Sequence, residues 1–396
     1  MIDNKILGRK SSLFQEDIQN FSNDLNQIVD GSSFLVIGGA GSIGQAVCKE
    51  IFKLKPQKMY VVDISENNMV ELVRDLRSSL ENKVTELKTF AIDCASEYFD
   101  ILMEKEGPFD FVLNLSALKH VRSEKDPYTL MRMIEVNILN TIKTINIAST
   151  FKSKNYFCVS TDKAANPANM MGASKQIMEL FVMRESLKQN ISMARFANVA
   201  FSDGSLLYGF NQRFIKKQPF SAPFDVKRYF ISPKESGELC LLSCIFGENR
   251  DIFFPKLEEN LHLISFSDIA KRYLNSLGYE AIECSSEEEA RRRVSELIVK
   301  KKWPCYFFES DTVGEKPYEE FFTDNEELDM NKFNSIGVIK NKASFNEKKL
   351  DCFIQKISDI SVKNLSKNYI LETFNEILPE FKNTYVNKEK DLDQKM

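Results

Sequence analysis

The chain of 396 residues is long enough for two domains of ordinary size and for a substantial hydrophobic core. Hydrophobic residues make up 43% of the chain, charged residues make up 28%, and the formal net charge is only -4. This composition is typical of a soluble globular protein and gives no sign of a nucleic-acid partner or of a membrane span. Because the N-terminus carries no apolar signal-peptide segment, we expect a cytoplasmic protein.

The cysteines and histidines indicate neither a disulfide framework nor a metal site. Eight cysteines are scattered without CxxC pairs, mostly in apolar segments such as YFCVS, and His120 and His262 are the two histidines of the sequence. Reduced thiols that pack in a core account for this pattern. With two histidines the chain has few imidazole ligands for a zinc site, so we expect no bound metal. It also has few candidates for the base of a Ser-His-Asp hydrolase.

The first two hundred residues predict alternating strands and helices. Residues 1–30 predict a helical lead-in, because apolar residues recur there at helical spacing. After a first strand in SFLVI, five more apolar segments are predicted strands, at 58–64, 87–93, 109–117, 156–160 and 191–197. Amphipathic segments between them predict helices. The pattern therefore predicts an α/β fold with a doubly wound parallel sheet, a Rossmann domain, over 31–200.

The regular alternation weakens after residue 200. Gly, Ser and Pro cluster in FSDGSLLYG and KKQPFSAPFD, a composition that suits loops. We predict a smaller substrate-binding region at 201–330, with some segments that return to the Rossmann domain. The charge-rich segment 285–303 is a predicted surface helix, and 331–396 is a predicted C-terminal helical extension.

The segment GGAGSIG follows the first predicted strand and opens a predicted helix. Its three glycines, Gly38, Gly41 and Gly44, fit a tight turn, close approach of backbone to a pyrophosphate, and close helix packing. Ser42 and Ile43 then lie at the helix N-terminus, which faces the anion. The sequence therefore predicts a dinucleotide site at this turn.

An acidic residue closes the next predicted strand and completes the dinucleotide pattern. Asp63 stands 19 residues after Gly44, where a carboxylate can bind the ribose hydroxyls of the adenosine. The same carboxylate would repel a 2′-phosphate, so NAD is favoured over NADP. NADP stays possible, because Arg74 or a residue from elsewhere can supply a positive charge.

Further cofactor contacts are predicted at strand ends and on one helix. Asp93 and its neighbour Cys94 end the third predicted strand, where Asp93 can bind the adenine or, equally, cap a helix. Ala117 and Lys119 lie in LNLSALKHV, which would run past the phosphates and ribose. Asn137 lies on a predicted helix as a polar anchor under the active site or as a structural residue.

Seven motifs occur together in one order along the chain. They are GGAGSIG, ALKHV, EVNILNT, STDKAANPANMMGASK, RFANV, KRYF and GEKPYEE. In this order they resemble the motifs of bacterial UDP-N-acetylglucosamine 4,6-dehydratases, polysaccharide-biosynthesis members of the extended short-chain dehydrogenase/reductase superfamily. The resemblance covers residues 5–330. It implies that hydride leaves the sugar C4 for a tightly bound cofactor and returns to C6 after water has left, which regenerates the cofactor in each cycle.

The resemblance assigns roles to the residues of STDKAANPANMMGASK. Asp162 would protonate the departing C6 hydroxyl, and Lys163 would take the C5 proton, which requires a protonated acid beside a neutral amine. Thr161 would bind the C4 oxygen. Lys175 would bind the nicotinamide ribose and bias the pKa values of its neighbours.

Met171 stands four residues before Lys175, where most of the superfamily carries a proton-transferring tyrosine. A thioether has no proton to exchange, so Met171 cannot remove the C4 hydroxyl proton. The chain thus resembles the soluble relatives that carry Met in place of the usual Tyr, and this suggests that the C5 configuration is retained. Water, Asp162 and Thr161 are the candidates for the proton acceptor.

The resemblance also implies contacts to the nucleotide end of the substrate. Asn198 and Arg228 match positions that contact the diphosphate, Lys119 would lie near both substrate and cofactor, and Glu315 would lie near the uridine ribose. The family motif GSRGSV reads FSDGSL here, which removes an arginine and introduces Asp203. The identity of the sugar is therefore open.

Two other functions are compatible with the sequence. A nucleotide-sugar 4-epimerase shares the fold and the C4 oxidation but does not need the Asp162–Lys163 pair. A catalytically silent nucleotide-sugar-binding subunit would tolerate the loss of tyrosine at 171. The dehydratase interpretation implies a UDP-sugar substrate, a role in deoxy-amino sugar, nonulosonic acid or surface polysaccharide biosynthesis, and, by resemblance, a homo-oligomer.

Overall fold

The structure is a computed structural model that describes residues 6–79, 86–257, 263–310, 319–360 and 365–385. In these ranges the strands are β1 (Ser33–Ile37), β2 (Lys58–Asp63), β3 (Glu86–Ala91), β4 (Phe111–Asn114), β5 (Asn155–Thr161), β6 (Ile191–Phe196), β7 (Asn198–Val199), β8 (Phe220–Pro223), β9 (Lys227–Ile231), β10 (Ile252–Pro255), β11 (Leu263–Ser265), β12 (Glu280–Glu283), β13 (Lys302–Phe308), β14 (Glu327–Asp329) and β15 (Ile336–Lys340).

The helices in the same ranges flank these strands. They are α1 (Gln15–Asn20), α2 (Ser22–Val29), α3 (Ser42–Lys53), α4 (Glu66–Ser79), α5 (Glu97–Glu106), α6 (Pro127–Ile134), α7 (Asn140–Thr150), α8 (Met170–Glu185), α9 (Leu206–Ile215), α10 (Pro233–Phe246), α11 (Phe266–Ser276), α12 (Glu287–Val299), α13 (Glu347–Ser358), α14 (Lys367–Ile377) and α15 (Phe381–Thr384). No helix in the described parts of the chain is both long enough and apolar enough to cross a bilayer.

One large sheet organises the described chain. Its strand order is β14-β15-β10-β6-β5-β4-β1-β2-β3, and the seven strands from β10 to β3 are parallel. β15 and β14 add an antiparallel edge. The order reverses direction between β1 and β4, and the crevice at such a switch point is where open α/β sheets bind ligands. The predicted doubly wound parallel sheet is confirmed.

The inner parallel strands are mostly apolar because helices cover both faces of the sheet, whereas the edge strand β3 is partly exposed. All residues of β4 and β6 are buried. On one face α10 packs against α3 at Gly237, where an added Cβ would lie 2.7 Å from the Ala46 carbonyl oxygen. This close approach of two helix backbones needs a residue without a side chain, and it fixes α3 under the dinucleotide turn.

The described residues between 201 and 330 contribute to two small sheets, the first of which also includes β7, and to the large sheet. β7, β9 and β11 form one small sheet, and β8, β13 and β12 form another. A second hydrophobic core lies beneath them, in which Trp303 stacks on Phe214 with ring centroids 4.7 Å apart. α10, β10 and β14 return to the large sheet. The charge-rich helix α12 carries ion pairs at (i, i+4) spacing, such as Arg293–Glu289 at 3.0 Å, as expected for a surface helix.

The lead-in contacts the chain just before β15, at the edge region of the large sheet. The lead-in contains α1 and α2, and the Asp17 carboxylate of α1 is buried. It accepts hydrogen bonds from the backbone N–H groups of Asn334 (2.6 Å) and Ser335 (2.9 Å), just before β15. The segment 331–396 begins with this strand, and its helices follow from Glu347.

Candidate active site

The predicted dinucleotide turn lies between β1 and α3, at the switch point of the sheet. Gly38 has φ = +72°, a conformation that favours glycine, and an added Cβ would lie 2.6 Å from the Ser116 backbone nitrogen. Gly41 precedes Ser42 and Ile43 at the start of α3, and its nearest contact to an added Cβ is an ordinary 3.6 Å. Protein packing therefore does not require glycine at 41, whereas the approach of a pyrophosphate to the backbone would.

Replacing Gly44 by alanine should lower the free energy of unfolding by about 1–3 kcal/mol. The added Cβ would lie 2.2 Å from the Gly38 carbonyl oxygen and would push α3 away from the turn. Gly209→Ala is the control, because no atom lies within 4 Å of the position of its added Cβ on α9. That substitution should instead stabilise by about 0.5–1 kcal/mol. Urea unfolding measures both, and equal curves for Gly44→Ala and the wild type would contradict this packing.

Asp63 lies at the end of β2, beside the glycine-rich turn. Its carboxylate accepts hydrogen bonds from the backbone N–H of Ala40 and of Ser65, each at 2.9 Å. These bonds hold the carboxylate at the rim of the turn. Arg74, the alternative source of a positive charge, lies exposed on α4.

Asp93 and Cys94 lie where the third parallel strand ends. The Asp93 carboxylate accepts a bond from the Ala95 N–H at 2.9 Å and pairs with Arg132 at 3.1 Å. The N-cap residue of α5 is Ser96, so the alternative interpretation of Asp93 as a helix cap is wrong. Cys94 is buried, and burial raises the pKa of its thiol to about 11.

Asn137 joins the loop after β4 to helix α8. It is fully buried in a π-helical turn, Glu135–Leu139, between α6 and α7. Its side chain exchanges two hydrogen bonds of 3.0 Å with the backbone of Leu118 and donates a third to the Ser174 hydroxyl at 3.0 Å. Asn137 therefore positions the loop that carries Ala117 and Lys119 against the helix that carries Met171 and Lys175.

Thr161, Asp162 and Lys163 lie at the carboxyl end of β5, next to the switch point. The Thr161 hydroxyl donates to one carboxylate oxygen of Asp162 at 2.7 Å. The Lys163 ammonium lies 3.1 Å from both carboxylate oxygens of Asp162. Asp162 is buried, whereas 35% of the Lys163 side chain is exposed. A hydroxyl, a carboxylate and an amine thus form one continuous hydrogen-bonded chain.

Met171 and Lys175 lie one turn apart on α8, beneath this chain of groups. The N-cap residue of α8 is Asn169, whose side chain accepts a hydrogen bond from the Gly172 N–H at 2.8 Å. An added Cβ at Gly172 would lie 2.6 Å from the Lys163 carbonyl oxygen, so helix and turn touch. Lys175 is buried and donates to the Val159 carbonyl oxygen at 3.2 Å, and burial lowers the pKa of its amine to about 8. Met171 is buried as well and offers no proton donor or acceptor.

The predicted substrate residues Asn198 and Arg228 meet at a third residue, Glu319. Asn198 donates its amide N–H to Glu319, and the Arg228 guanidinium nitrogen Nε lies 3.5 Å from the same carboxylate oxygen. The other oxygen accepts a bond from the Tyr229 N–H at 3.2 Å. Glu315 lies outside the described residues.

Lys119 and Asp203 lie on the dinucleotide side of the site. Lys119 donates to the Ser202 hydroxyl at 3.0 Å. The hydroxyl of Ser42, at the start of α3, donates to the Asp203 carboxylate at 2.8 Å and accepts from the Asp203 N–H at 2.8 Å. The segment that departs from the family motif therefore contacts the helix N-terminus at which a pyrophosphate would bind.

Sequence reasoning missed Glu319 and the residues that hold its segment. Burial, reinforced by the nearby charge of Asp162, raises the pKa of Glu319 to about 7. Beyond it, the buried Arg195 donates to the Phe321 carbonyl oxygen at 2.9 Å and pairs with Glu326 at 3.0 Å and with Glu179 of α8 at 2.7 Å. Glu319 belongs to the same motif as Glu315, GEKPYEE, and is the first of the two glutamates that end it.

Known proteins resemble the chain over most of its length. It is 28% identical to an uncharacterized membrane protein of Methanocaldococcus jannaschii, in a match that covers 87% of this chain and 99% of that protein. It is 24% identical to the capsular polysaccharide biosynthesis protein CapD of Staphylococcus aureus, covering 88% of this chain but 53% of CapD. The chain thus spans about half the length of CapD.

Two further relatives are named after reactions on nucleotide sugars. A UDP-N-acetylglucosamine 4,6-dehydratase (inverting) of Campylobacter jejuni is 27% identical, covering 58% of this chain and 68% of the enzyme. A UDP-glucose 4-epimerase of Rickettsia rickettsii is 30% identical, covering 57% of this chain and 66% of the enzyme. Their names correspond to the two reaction types considered above, 4,6-dehydration and 4-epimerisation.

Solved structures share the fold. Pen from Bacillus thuringiensis aligns with a TM-score of 0.63 at 20% identity, covering 84% of this chain and 99% of Pen. DesIV, a dTDP-glucose 4,6-dehydratase from Streptomyces venezuelae with NAD and TYD bound, aligns with a TM-score of 0.56 at 14% identity, covering 88% of this chain and 99% of DesIV.

A family model described as polysaccharide biosynthesis protein matches residues 34–341, which include the glycine-rich turn, the Thr161–Asp162–Lys163 segment and the Asn198–Arg228–Glu319 cluster. The matched residues extend from the first strand of the large sheet to its last, β15. The chain therefore belongs to this polysaccharide biosynthesis family, within the extended short-chain dehydrogenase/reductases.

Proposed function

We propose that the chain catalyses the NAD-dependent 4,6-dehydration of UDP-N-acetylglucosamine to a UDP-4-keto-6-deoxy-N-acetylhexosamine. The observation that carries this proposal is the adjacent acid and amine, Asp162 and Lys163, in contact at 3.1 Å at the end of β5. Dehydration needs an acid for the C6 hydroxyl and a base for the C5 proton on neighbouring atoms. The product would serve deoxy-amino sugar, nonulosonic acid or surface polysaccharide biosynthesis in the cytoplasm.

The residues of the switch point fit a dinucleotide. The turn Gly38–Gly44 leaves the backbone at Gly41 open to a pyrophosphate, and Asp63 is held by its two backbone N–H bonds where ribose hydroxyls would bind. Asp93, Cys94, Ala117 and Lys119 would line the remainder of this site, and Lys175 would bind the nicotinamide ribose. When bound, the cofactor supplies reversible hydride acceptance from C4 and hydride return to C6.

The protein would move the proton of the C4 hydroxyl along the hydrogen bond from Thr161 to Asp162. Thr161 donates to Asp162 at 2.7 Å, so a proton taken from the C4 oxygen by Thr161 can be passed on to that carboxylate. Asp162 would then be the neutral acid that protonates the departing C6 hydroxyl. The proton released at C4 thus leaves in the water formed at C6, and Met171 has no proton to carry.

The same transfer would prepare Lys163 as a base. In the Lys163–Asp162 pair the carboxylate charge stabilises the ammonium. Protonation of Asp162 removes that charge, so the ion pair no longer opposes the neutral amine that the C5 step needs. The neutral amine would take the C5 proton and return it after the hydride has reached C6.

Incubation of the purified protein with UDP-N-acetylglucosamine in heavy water, without added cofactor, tests the proposal. Mass spectrometry should show the loss of one water, and proton NMR should show a new 6-methyl signal and deuterium at C5. The C5 coupling would separate retention, which Met171 suggests, from inversion. A product of unchanged mass with inverted C4 would instead indicate an epimerase, which the relationship to the Rickettsia rickettsii enzyme favours as the second candidate. An unchanged substrate, with or without NAD, would indicate a silent binding subunit.

Replacing Met171 by leucine should leave turnover within about a few-fold of the wild type. The two side chains have similar volumes and neither carries an exchangeable proton, so a buried leucine preserves the packing of α8. Steady-state product formation by NMR measures the effect. Ser174→Ala, which removes the hydroxyl that Asn137 holds, provides a comparison in the same helix. Collapse of turnover in a folded Met171→Leu protein would assign Met171 a chemical role.

A further inference from the structure

Glu319 occupies the position between the two residues that are expected to bind the substrate diphosphate. Its carboxylate accepts from the Asn198 amide and the Tyr229 N–H, and it lies 3.5 Å from the Arg228 guanidinium. Only 8% of the residue is exposed. An anion of the protein itself therefore already binds the donors that an incoming diphosphate would need.

We propose that Glu319 is a positioning residue that competes with the substrate diphosphate for Asn198 and Arg228, and that its carboxylate takes up a proton when the diphosphate displaces it. The proton comes from solvent, so no other group is consumed. This inference rests on the proposed function, because it takes Asn198 and Arg228 as diphosphate ligands.

The surroundings of Glu319 explain why displacement brings a proton. Two negative groups, the Asp162 carboxylate and the arriving diphosphate, would face a carboxylate that has lost the Arg228 cation. Among the described residues, Lys163 is a further cation that acts on it, and it is paired with Asp162 at 3.1 Å. A buried carboxylate without a cation is costly, and neutralisation removes that cost.

The charge state of the free protein makes this exchange observable near neutral pH. Burial and the charge of Asp162 already raise the pKa of Glu319 from 4.5 to about 7. At pH 8 most of this carboxylate is ionised, and a further rise of its pKa on binding draws in a proton. Because binding and protonation are linked, binding must weaken as the pH rises above 7, by up to about tenfold per pH unit.

Contacts of the residues that follow Glu319 in the chain hold its segment in place. Glu319 therefore competes with the diphosphate as a fixed group of the same molecule. Arg195 binds the Phe321 carbonyl oxygen at 2.9 Å and Glu326 at 3.0 Å. These bonds keep Glu319 beside Asn198 in the free protein. The carboxylate is therefore a local competitor at high effective concentration, and the substrate must overcome it.

Calorimetric titration of the full chain with UDP at pH 8, in two buffers that differ in ionisation enthalpy, tests the inference. The terminal phosphate of UDP is already ionised at this pH, because its second pKa is near 6. The wild type should take up a substantial fraction of one proton, up to about one, per UDP bound. Glu319→Gln should bind UDP more tightly, by about tenfold or more, without this uptake. Glu320→Gln, a change of the neighbouring residue that binds Asn166 at 2.7 Å, should behave as the wild type.

The outcomes separate this inference from the function on which it rests. Proton uptake that persists in Glu319→Gln, or a wild-type affinity that does not change between pH 7 and pH 9, overturns the role of Glu319 alone. The wild-type measurements do not depend on the variant. They therefore test the inference even if the Glu319→Gln protein folds poorly. A wild type that binds neither UDP nor UDP-N-acetylglucosamine overturns the proposed function and this inference together.

Discussion

Replacing Lys163 by alanine should abolish deuterium incorporation at C5 and lower dehydration by about 10²- to 10⁴-fold, the usual contribution of a general base. The reason is that Lys163, in contact with Asp162 at the end of β5, is the proposed base for the C5 proton. The variant keeps the other residues proposed to bind the sugar nucleotide and the dinucleotide, so we expect it to bind both. The measurement is proton NMR of UDP-N-acetylglucosamine in heavy water, together with the amount of dinucleotide bound to the variant.

Lys154→Ala is the matched control for this experiment. Lys154 precedes the opposite end of the same strand, and it pairs with Asp110 at 2.9 Å on the surface. Its removal should leave both C5 exchange and turnover near wild type, with a loss of at most about 1 kcal/mol in stability. If the Lys163→Ala protein still incorporates deuterium at C5 of the sugar, then another group is the base and the assignment of Lys163 is wrong.

Replacing Arg195 by leucine should lower the free energy of unfolding by about 3–5 kcal/mol. Arg195 pairs with Glu179 at 2.7 Å and with Glu326 at 3.0 Å, and its side chain is 4% exposed. The substitution leaves two mostly buried carboxylates without their cation, because only 9% of the Glu179 side chain and 16% of the Glu326 side chain are exposed. It also removes the donor to the Phe321 carbonyl oxygen, so the segment of Glu319 loses its anchor. Urea unfolding followed by circular dichroism measures the loss.

Arg293→Leu removes an arginine whose ion pair is partly exposed, with 35% of the arginine side chain in contact with solvent. Its pair with Glu289 has the same contact distance as Arg195 with Glu326, 3.0 Å, but lies on the outer surface of α12. The expected loss is below about 1 kcal/mol. A double variant, Arg195→Leu with Glu179→Leu, should recover part of the loss, because it removes one of the unpaired charges. An Arg195→Leu protein as stable as Arg293→Leu would show that the buried cluster contributes little.

The parts of the site that a local pattern encodes were predictable. The glycines of the turn, Asp63 after its strand, and the Thr161–Asp162–Lys163 segment lie within short stretches whose spacing carries the signal. In the structure the residues of the last segment are joined by bonds of 2.7 and 3.1 Å. For such motifs the neighbours in sequence are also the neighbours in space.

The parts that depend on distant residues were not predictable from one sequence. Glu319 is hydrogen-bonded to Asn198 and Tyr229, which lie 121 and 90 positions away in the sequence. Arg195 is hydrogen-bonded to Glu326, which lies 131 positions away. No periodicity relates such positions. β15 was missed for a related reason, because its five residues include Gly337, and it is stabilised as a strand by pairing with β10 from far away in the chain. The parallel arrangement of the strands before residue 200, in contrast, follows from the alternation of strands and helices.

The burial of Asp17 by the chain before β15 has a consequence for the way in which this protein is made. Its carboxylate binds the backbone of Asn334 and Ser335, which the ribosome adds more than 300 residues later. Until then the Asp17 carboxylate lacks both of these donors, although Phe21, between α1 and α2, can already pack on Phe246. A growing chain therefore carries an unsatisfied carboxylate in its lead-in while its parallel strands already associate. Completion of this contact is a late event that closes a very long loop. A translation product that stops before residue 334 would leave the Asp17 carboxylate without either donor.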